Sequence, residues 1–522
     1  MSTFAPTLFS GKRFAVLGLG KNGAPAALAL HAMGADVVAW DDNAASRDAL
    51  TAAAGPDGAR PAVVDPVVVG SAADAHTVMA GEGRPSTPLF DPGPQGVDGG
   101  PSPAMTPGGQ ALAAMAQGRA PAVTIKGGAP ATTARPIVLR DLADGPFDFD
   151  ALVLSPGIPH RLPIPHPVAR RALDAGVPVL TDVELLFQAV RASGSRARFV
   201  GVTGTNGKST TTALLAHILD SAGIPVAAGA NLGPAALSLP LLPHDGVYVL
   251  EMSSYMLERL ATVRFDAAVM LNLSADHIDR HGDMAGYAMA KRSIFARQTA
   301  DDLAVVGTDD AGSREMAGWL DAQPARVVRV SGTETPLAGG AALPGAHNAQ
   351  NAAAATAMAR FLGVSDPVIA AGLASYPGLP HRQQRIVTID GVTFINDSKA
   401  TNADASERAL VCYDRLIWIA GGMAKEGGIE PLVPLFPRIA RALLIGRDAP
   451  QFAATLTREG VPFDMVGTLE SAVPAAFAAA KATNAPVVLL SPACASWDQF
   501  TGYDQRGDRF AALALNLKAG DA

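Results

Sequence analysis

Thiols are scarce: two cysteines in 522 residues cannot build a disulfide framework, and so few suit a reducing, cytoplasmic setting. Long apolar runs are also missing. None approaches the ~20 residues a bilayer-spanning helix needs, although 48% of the chain is hydrophobic, so no membrane insertion is expected. The first twenty residues lack a basic segment followed by a signal core, and Phe14-Ala15-Val16-Leu17 reads as a first strand. Excess positive charge is absent. With 41 Lys and Arg against 48 Asp and Glu, the net charge of −7 argues against nucleic acid as the main partner, because a phosphate-tracking surface is basic. Any anionic ligand must be held by a local cluster of cations. The length is too great for one core and predicts about three domains.

What is present centres on Gly201-Val202-Thr203-Gly204-Thr205-Asn206-Gly207-Lys208-Ser209-Thr210-Thr211-Thr212. The β-prone run Arg198-Phe199-Val200 enters it, and Ala213–Leu219 leaves it with helical spacing. Strand, glycine loop and helix in this order bind a nucleotide phosphate: backbone N–H groups crowd the anion, Lys208 reaches the outer phosphates, and Ser209 offers a hydroxyl to Mg²⁺. A strict P-loop needs Gly where Val202 stands, so the general pattern fails by one position.

A second glycine motif, Gly18-Leu19-Gly20-Lys21-Asn22-Gly23, follows the first strand, and Asp41-Asp42 ends another about 20 residues on, where a dinucleotide fold keeps its ribose ligand. By itself this pattern suggests NAD, but any βαβ unit that grips a diphosphate uses the same glycines, and no hydride chemistry is visible. Residues 55–136 are rich in Pro, Gly, Ala and Ser and poor in large apolar side chains, which predicts a disordered insertion. Strands resume at Phe149–Leu154 and Val177–Leu180, with a helix over Val168–Ala175. The expected domains are 1–192, 193–378 and 379–522, each an α/β unit. The first and third are Rossmann-like and the central one is P-loop-like.

Several polar residues fall at the carboxyl ends of expected strands, the edge where open α/β sheets bind ligands. Glu251 and Asp276-His277 do so in the central unit. Glu251 with Ser209 supplies the oxygens Mg²⁺ prefers; His277 serves either a second metal or a satisfied helix start. Arg382, Lys399 and Lys425 in the third unit read as a carboxylate-holding cluster, with Arg382 free to turn toward ATP, or as ordinary solvated charge. Cys494 has no partner His nearby in sequence, which disfavours a thiol nucleophile. A non-ligase NTPase and an NAD-dependent enzyme stay open at this point.

The strings Gly204–Thr210, Glu251-Met252-Ser253-Ser254-Tyr255, Asp276-His277-Ile278-Asp279-Arg280, His347-Asn348, Gly378–Arg382, Asn396-Asp397-Ser398-Lys399-Ala400-Thr401-Asn402 and Ser491-Pro492-Ala493-Cys494-Ala495-Ser496 together resemble the Mur ligase family. The last two look like its D-glutamate-adding member. The resemblance covers the chain outside the insertion. It implies ATP-dependent amide formation between UDP-N-acetylmuramoyl-L-alanine and D-glutamate through an acyl phosphate, by a monomer in the cytoplasm. It further implies that Lys21, Asn22, Asp41, Gly157 and Asn231 contact the UDP substrate. Gly204, Thr205, Asn206, Gly207, Lys208, Ser209, Thr210, Thr211, Asn348 and Arg382 would hold ATP. Ser209, Glu251, His277 and a carbamylated Lys291 would serve two Mg²⁺ sites, and Lys208, Glu251, His277 and Lys291 would act in catalysis. Arg382, Lys399, Lys425, Ser496 and Tyr503 would surround D-glutamate. Met423 departs from the Asp that relatives often carry, and Tyr503 from a familiar Phe.

Overall fold

The computed structural model describes residues 3–55, 59–61, 135–334, 343–425 and 427–519. It contains three six-stranded sheets flanked by helices. The first comprises β1 (Arg13–Leu17), β2 (Asp36–Trp40), β3 (Ala59–Pro61), β4 (Ile137–Leu139), β5 (Ala151–Leu154) and β6 (Val179–Leu180). All are parallel, in the order β3-β4-β2-β1-β5-β6. Their near-continuous apolar runs suit a parallel sheet covered on both faces. Two short strands trim the bounds of the expected insertion. Ala59–Pro61 pairs with Ile137–Leu139, so regular structure continues past Gly55 and resumes before Phe149. Residues 62–134 lie outside the described residues.

The second sheet comprises β7 (Arg198–Thr203), β8 (Val226–Ala230), β9 (Val247–Glu251), β10 (Ala267–Met270), β11 (Leu303–Gly307) and β12 (Arg326–Val330), all parallel in the order β12-β11-β10-β7-β9-β8. Val202, where a strict P-loop has Gly, is a fully buried β7 residue; the departure falls in the sheet core and leaves the turn itself alone. The third sheet comprises β13 (Gln384–Ile389), β14 (Val392–Asn396), β15 (Leu416–Gly421), β17 (Ile439–Ile445), β18 (Phe463–Gly467) and β19 (Val487–Leu490). Its order is β13-β14-β19-β15-β17-β18, with β13 antiparallel at the edge. The short strands β16 (Met423–Ala424) and β20 (Cys494–Ala495) form a separate antiparallel ribbon. The structure thus bears out three α/β domains.

Buried apolar side chains form one continuous cluster from Phe14, Val16 and Leu30 of the first unit through Leu185 and Leu186 to Phe199, Tyr248 and Phe265 of the second. The third unit keeps its own two clusters, one on each face of its sheet. The helix Asp182–Ala192 starts on a Thr181 cap, whose Oγ1 accepts from Val183 N at 3.0 Å. Its first turn places Asp182 and Glu184 at the boundary with the second unit. Glu184 accepts from the amides of Ala261 and Thr262, at 2.8 and 2.9 Å, and Asp182 from Ala236 N at 2.9 Å. Among the described residues no helix is long and apolar enough to cross a membrane.

Candidate active site

The loop after β7 turns sharply into the helix Lys208–Ser221 through Gly207, which sits at φ +82°. A Cβ there would lie 2.4 Å from Asn351 Oδ1, so only glycine fits. That conformation leaves the first amides of the helix facing open space, which is an anion site. The loop is braced from β10: Thr205 N donates to Asn272 O at 3.0 Å and Asn206 N to Asn272 Oδ1 at 2.8 Å.

Lys208 folds back over this loop, donating to Gly204 O at 2.8 Å and Thr205 O at 2.7 Å. Burial lowers its pKa and Glu251 opposes the shift. Beside it the fully buried Lys291 donates to Gly204 O at 2.9 Å. Burial first, then the Lys208 charge, holds its pKa well below the usual lysine range. Two ammonium groups this close and this dry would repel.

Glu251 ends β9 one strand away, in register with Val202. One carboxylate oxygen accepts from Asn231 Nδ2 at 2.5 Å; the other, Oε2, is buried with no hydrogen-bond partner. Such an orphan is costly and calls for a donor or a cation. A cavity of about 260 Å³ opens in front of it, lined by Lys21 from the first unit, Lys208 and Ser209 from the second, and Arg382, Lys399 and Tyr503 from the third. Arg382 reaches across to donate to Ser209 Oγ at 2.9 Å. Lys399 is brought down to a pKa of about 7 by burial and by Arg382, and its Nζ lies 5.0 Å from the Tyr503 ring centroid.

A second cavity, of about 290 Å³, shares Lys208 and adds Gly157, Ser254, Asp276, His277 and Lys291. His277 adopts φ +52°, with Nε2 3.3 Å from Asp276 Oδ2, and burial lowers its pKa. A third depression next to the phosphate loop is lined by Gly207, Thr210, Asn348, Asn351, Tyr376 and Arg408 among others. There Asn348 donates to Pro344 O at 2.8 Å and accepts from Asn351 at 3.1 Å.

The structure therefore gathers Lys21, Asn231, Lys208, Ser209, Glu251, Arg382, Lys399 and Tyr503 around one cavity, and Gly157, His277 and Lys291 around its neighbour. Other expected residues sit elsewhere. Lys425 is exposed and outside these cavities. Ser496 is buried within its loop, and Thr211 is buried in the helix. Asp41 spends both oxygens on backbone amides, from Leu19 at 2.6 Å and Asn43 at 2.8 Å, so here it shapes the first glycine loop. Asn22 donates to Asp182 at 3.2 Å. Among the described residues, no three His, Cys, Asp or Glu cluster as a ready-made metal cage. That suits Mg²⁺, which takes one or two carboxylates and completes its shell with water and phosphate.

Comparison with known proteins decides the family. The model of the Mur ligase middle domain matches residues 202–339. A UDP-N-acetylmuramoylalanine–D-glutamate ligase from Paramagnetospirillum magneticum is 43% identical over 99% of both chains. The chain belongs to the Mur ligase family. Another such D-glutamate ligase, from Rhodospirillum rubrum, is 49% identical over 70% of this Mur ligase and 81% of its own length. The fold agrees too. The crystal structure of the UDP-N-acetylmuramate–alanine ligase from Thermotoga maritima superposes with a TM-score of 0.50 at 15% identity, covering 98% of this chain and all of the other.

Sequence reasoning missed Asp182, Glu184 and Arg259, buried charged residues at the boundary of the first two units. Asp182 and Glu184 carried a signal in Thr181-Asp182-Val183-Glu184, a capped helix start with two acids. Arg259 carried none.

Proposed function

We propose that this Mur ligase uses ATP to join the free carboxylate of UDP-N-acetylmuramoyl-L-alanine to the amine of D-glutamate, acting as a cytoplasmic monomer. One observation carries the reading: a single cavity is lined by cations from all three units and faces the unpartnered Glu251 oxygen. Three polyanionic or carboxylate-bearing reactants need such convergence, and a binding module would not.

In the first step the substrate carboxylate attacks the γ-phosphorus of ATP; the bond to the bridging oxygen breaks, giving ADP and an acyl phosphate. Lys208 leaves the carbonyls of Gly204 and Thr205 to meet the transferred phosphoryl group, and Arg382 turns from Ser209 to the same oxygens. Asn348 and the depression beside it receive the adenosine. In the second step the D-glutamate amine attacks the acyl carbon, and the tetrahedral intermediate expels phosphate. Lys399 and Tyr503 line the side from which the amino acid enters, and Ser496 and Lys425 join them when the third unit closes. Lys21, Asn22, Asn231 and Gly157 hold the UDP end, with Asp41 shaping the loop.

The orphan Glu251 oxygen and Ser209 Oγ fit one Mg²⁺ site, and His277 with Lys291 a second; bound there, Mg²⁺ would neutralise charge on the phosphates. Lys291 fits only as a carbamate. Its neutral amine is the nucleophilic form: Nζ attacks the carbon of CO₂, one carbonyl electron pair moves to oxygen, and the nitrogen loses its proton to water. Intact mass spectrometry under CO₂ is expected to show one added CO₂ that Lys291→Ala lacks.

The reading is tested by phosphate release from Mg²⁺-ATP in the presence of UDP-N-acetylmuramoyl-L-alanine, adding amino acids singly. Release is expected with D-glutamate and not with L-glutamate or diaminopimelate. Release without any amino acid would overturn it in favour of a plain NTPase.

A further inference from the structure

Arg259 is 3% exposed and has no carboxylate within hydrogen-bonding distance. A bare guanidinium in such a place is expensive unless every donor is met. Every donor is met, and the acceptors lie across the boundary in the first unit. Nη1 donates to Leu154 O at 2.8 Å and Ser155 O at 3.1 Å. Nη2 donates to Ile158 O at 2.6 Å and, more distantly, to Pro156 O at 3.5 Å. Nε donates to His160 Nδ1 at 3.3 Å. That ring stays neutral, its pKa pressed to about 3 by burial and by Arg259 itself. The one carbonyl left in this run, Gly157 O, accepts from Arg280 Nη1 at 2.8 Å. Two arginines of the central unit thus take five consecutive carbonyls, 154 to 158, of one first-unit loop.

That loop leaves the carboxyl end of β5, beside β1. Its Ser155 Oγ donates to Gly18 O at 2.9 Å, inside the first glycine motif, and Gly157 lines the cavity that holds His277 and Lys291. On the other side, the short segment that ends in Arg259 begins with Glu251. The planar five-donor fork therefore ties the grip on the UDP substrate to the strand end that faces ATP through a few rigid links.

We infer that Arg259, assisted by Arg280, is a positioning residue for the UDP substrate: it fixes the loop 154–158 on the central unit and so sets where the bound acid presents its carboxylate. The inference rests on the ligase reading above. An ammonium at position 259 cannot span acceptors spread over five residues, so the loop shifts while the phosphate loop does not.

The test is steady-state kinetics of Arg259→Lys, Arg259→Ala and Arg280→Met in the full chain. Arg259→Lys is expected to raise KM for the UDP substrate roughly tenfold and to cut its kcat/KM by up to ~100-fold, with KM for ATP unchanged. Arg280→Met, at the exposed half of the clamp, is expected to show the same UDP-specific rise at smaller size. Guanidinium ion at sub-denaturing concentration is expected to restore part of the loss in Arg259→Ala. A purely structural role would lower kcat by removing active molecules and leave both KM values in place; that pattern in Arg280→Met and Arg259→Lys, or an equal rise in the ATP KM, overturns the inference. Wild-type protein inactive with D-glutamate would instead overturn the ligase reading, so the two failures are distinct.

Discussion

The two boundaries of the central unit differ in kind. Toward the first unit, the apolar core runs across without a break, Glu184 and Asp182 accept central-unit amides, and Arg259 donates back. Toward the third unit the cores are separate, and the contact includes a thin polar link, Arg382 to Ser209, at the rim of a cavity. Charged groups buried with complete sets of partners lock a boundary; a solvated cavity lined by cations leaves it free to move. On the proposed function, the difference would give fixed geometry to the UDP substrate and ATP, and mobility to the side where the amino acid enters.

Breaking each boundary separates the two roles. Arg382→Met is expected to cut kcat/KM by about 10³, while the melting temperature stays within a degree or so of wild type because no core is touched. Glu184→Ala acts the other way. It leaves the Ala261, Thr262 and Val263 amides and the Thr262 hydroxyl without their shared acceptor and is expected to cost about 3 kcal/mol, read from the urea midpoint of the first two units. The smallest effect sharpens the contrast. Lys399 has a pKa of about 7, and a bound carboxylate favours its cation. D-glutamate binding at pH 8 is therefore expected to take up a proton, seen by calorimetry in buffers of different ionisation heat, and the D-glutamate KM to climb as pH rises above 7. Without ligand the sign of stability is opposite. The unfolded lysine at 10.5 binds more protons than the folded one, so this group's contribution rises from about pH 7 to 10.5.

Three α/β units, both glycine loops and the strand-end positions of Glu251, Asp276 and Lys399 were legible in the sequence, because turn glycines and apolar strands are local signals. Strands β3 and β4 were not, since three-residue strands beside a Pro- and Gly-rich stretch carry little pattern. Nor was the work of Asp41: the motif that suggests a ribose ligand does not tell whether its carboxylate is already filled by Leu19 and Asn43 amides. Arg259 was invisible because its meaning lies in five acceptors about a hundred residues away in the chain.

The fold-back of Lys208 also bears on which anions the loop admits. Its ammonium already holds two carbonyl oxygens, so an arriving ligand gains only the difference between its own attraction and theirs. A single weakly charged oxyanion offers little beyond those carbonyls and leaves the lysine where it is. A triphosphate, with its dense charge and its accompanying cation, would compete better for the lysine. On the proposed function, these two carbonyls would compete with the arriving phosphate for the same ammonium.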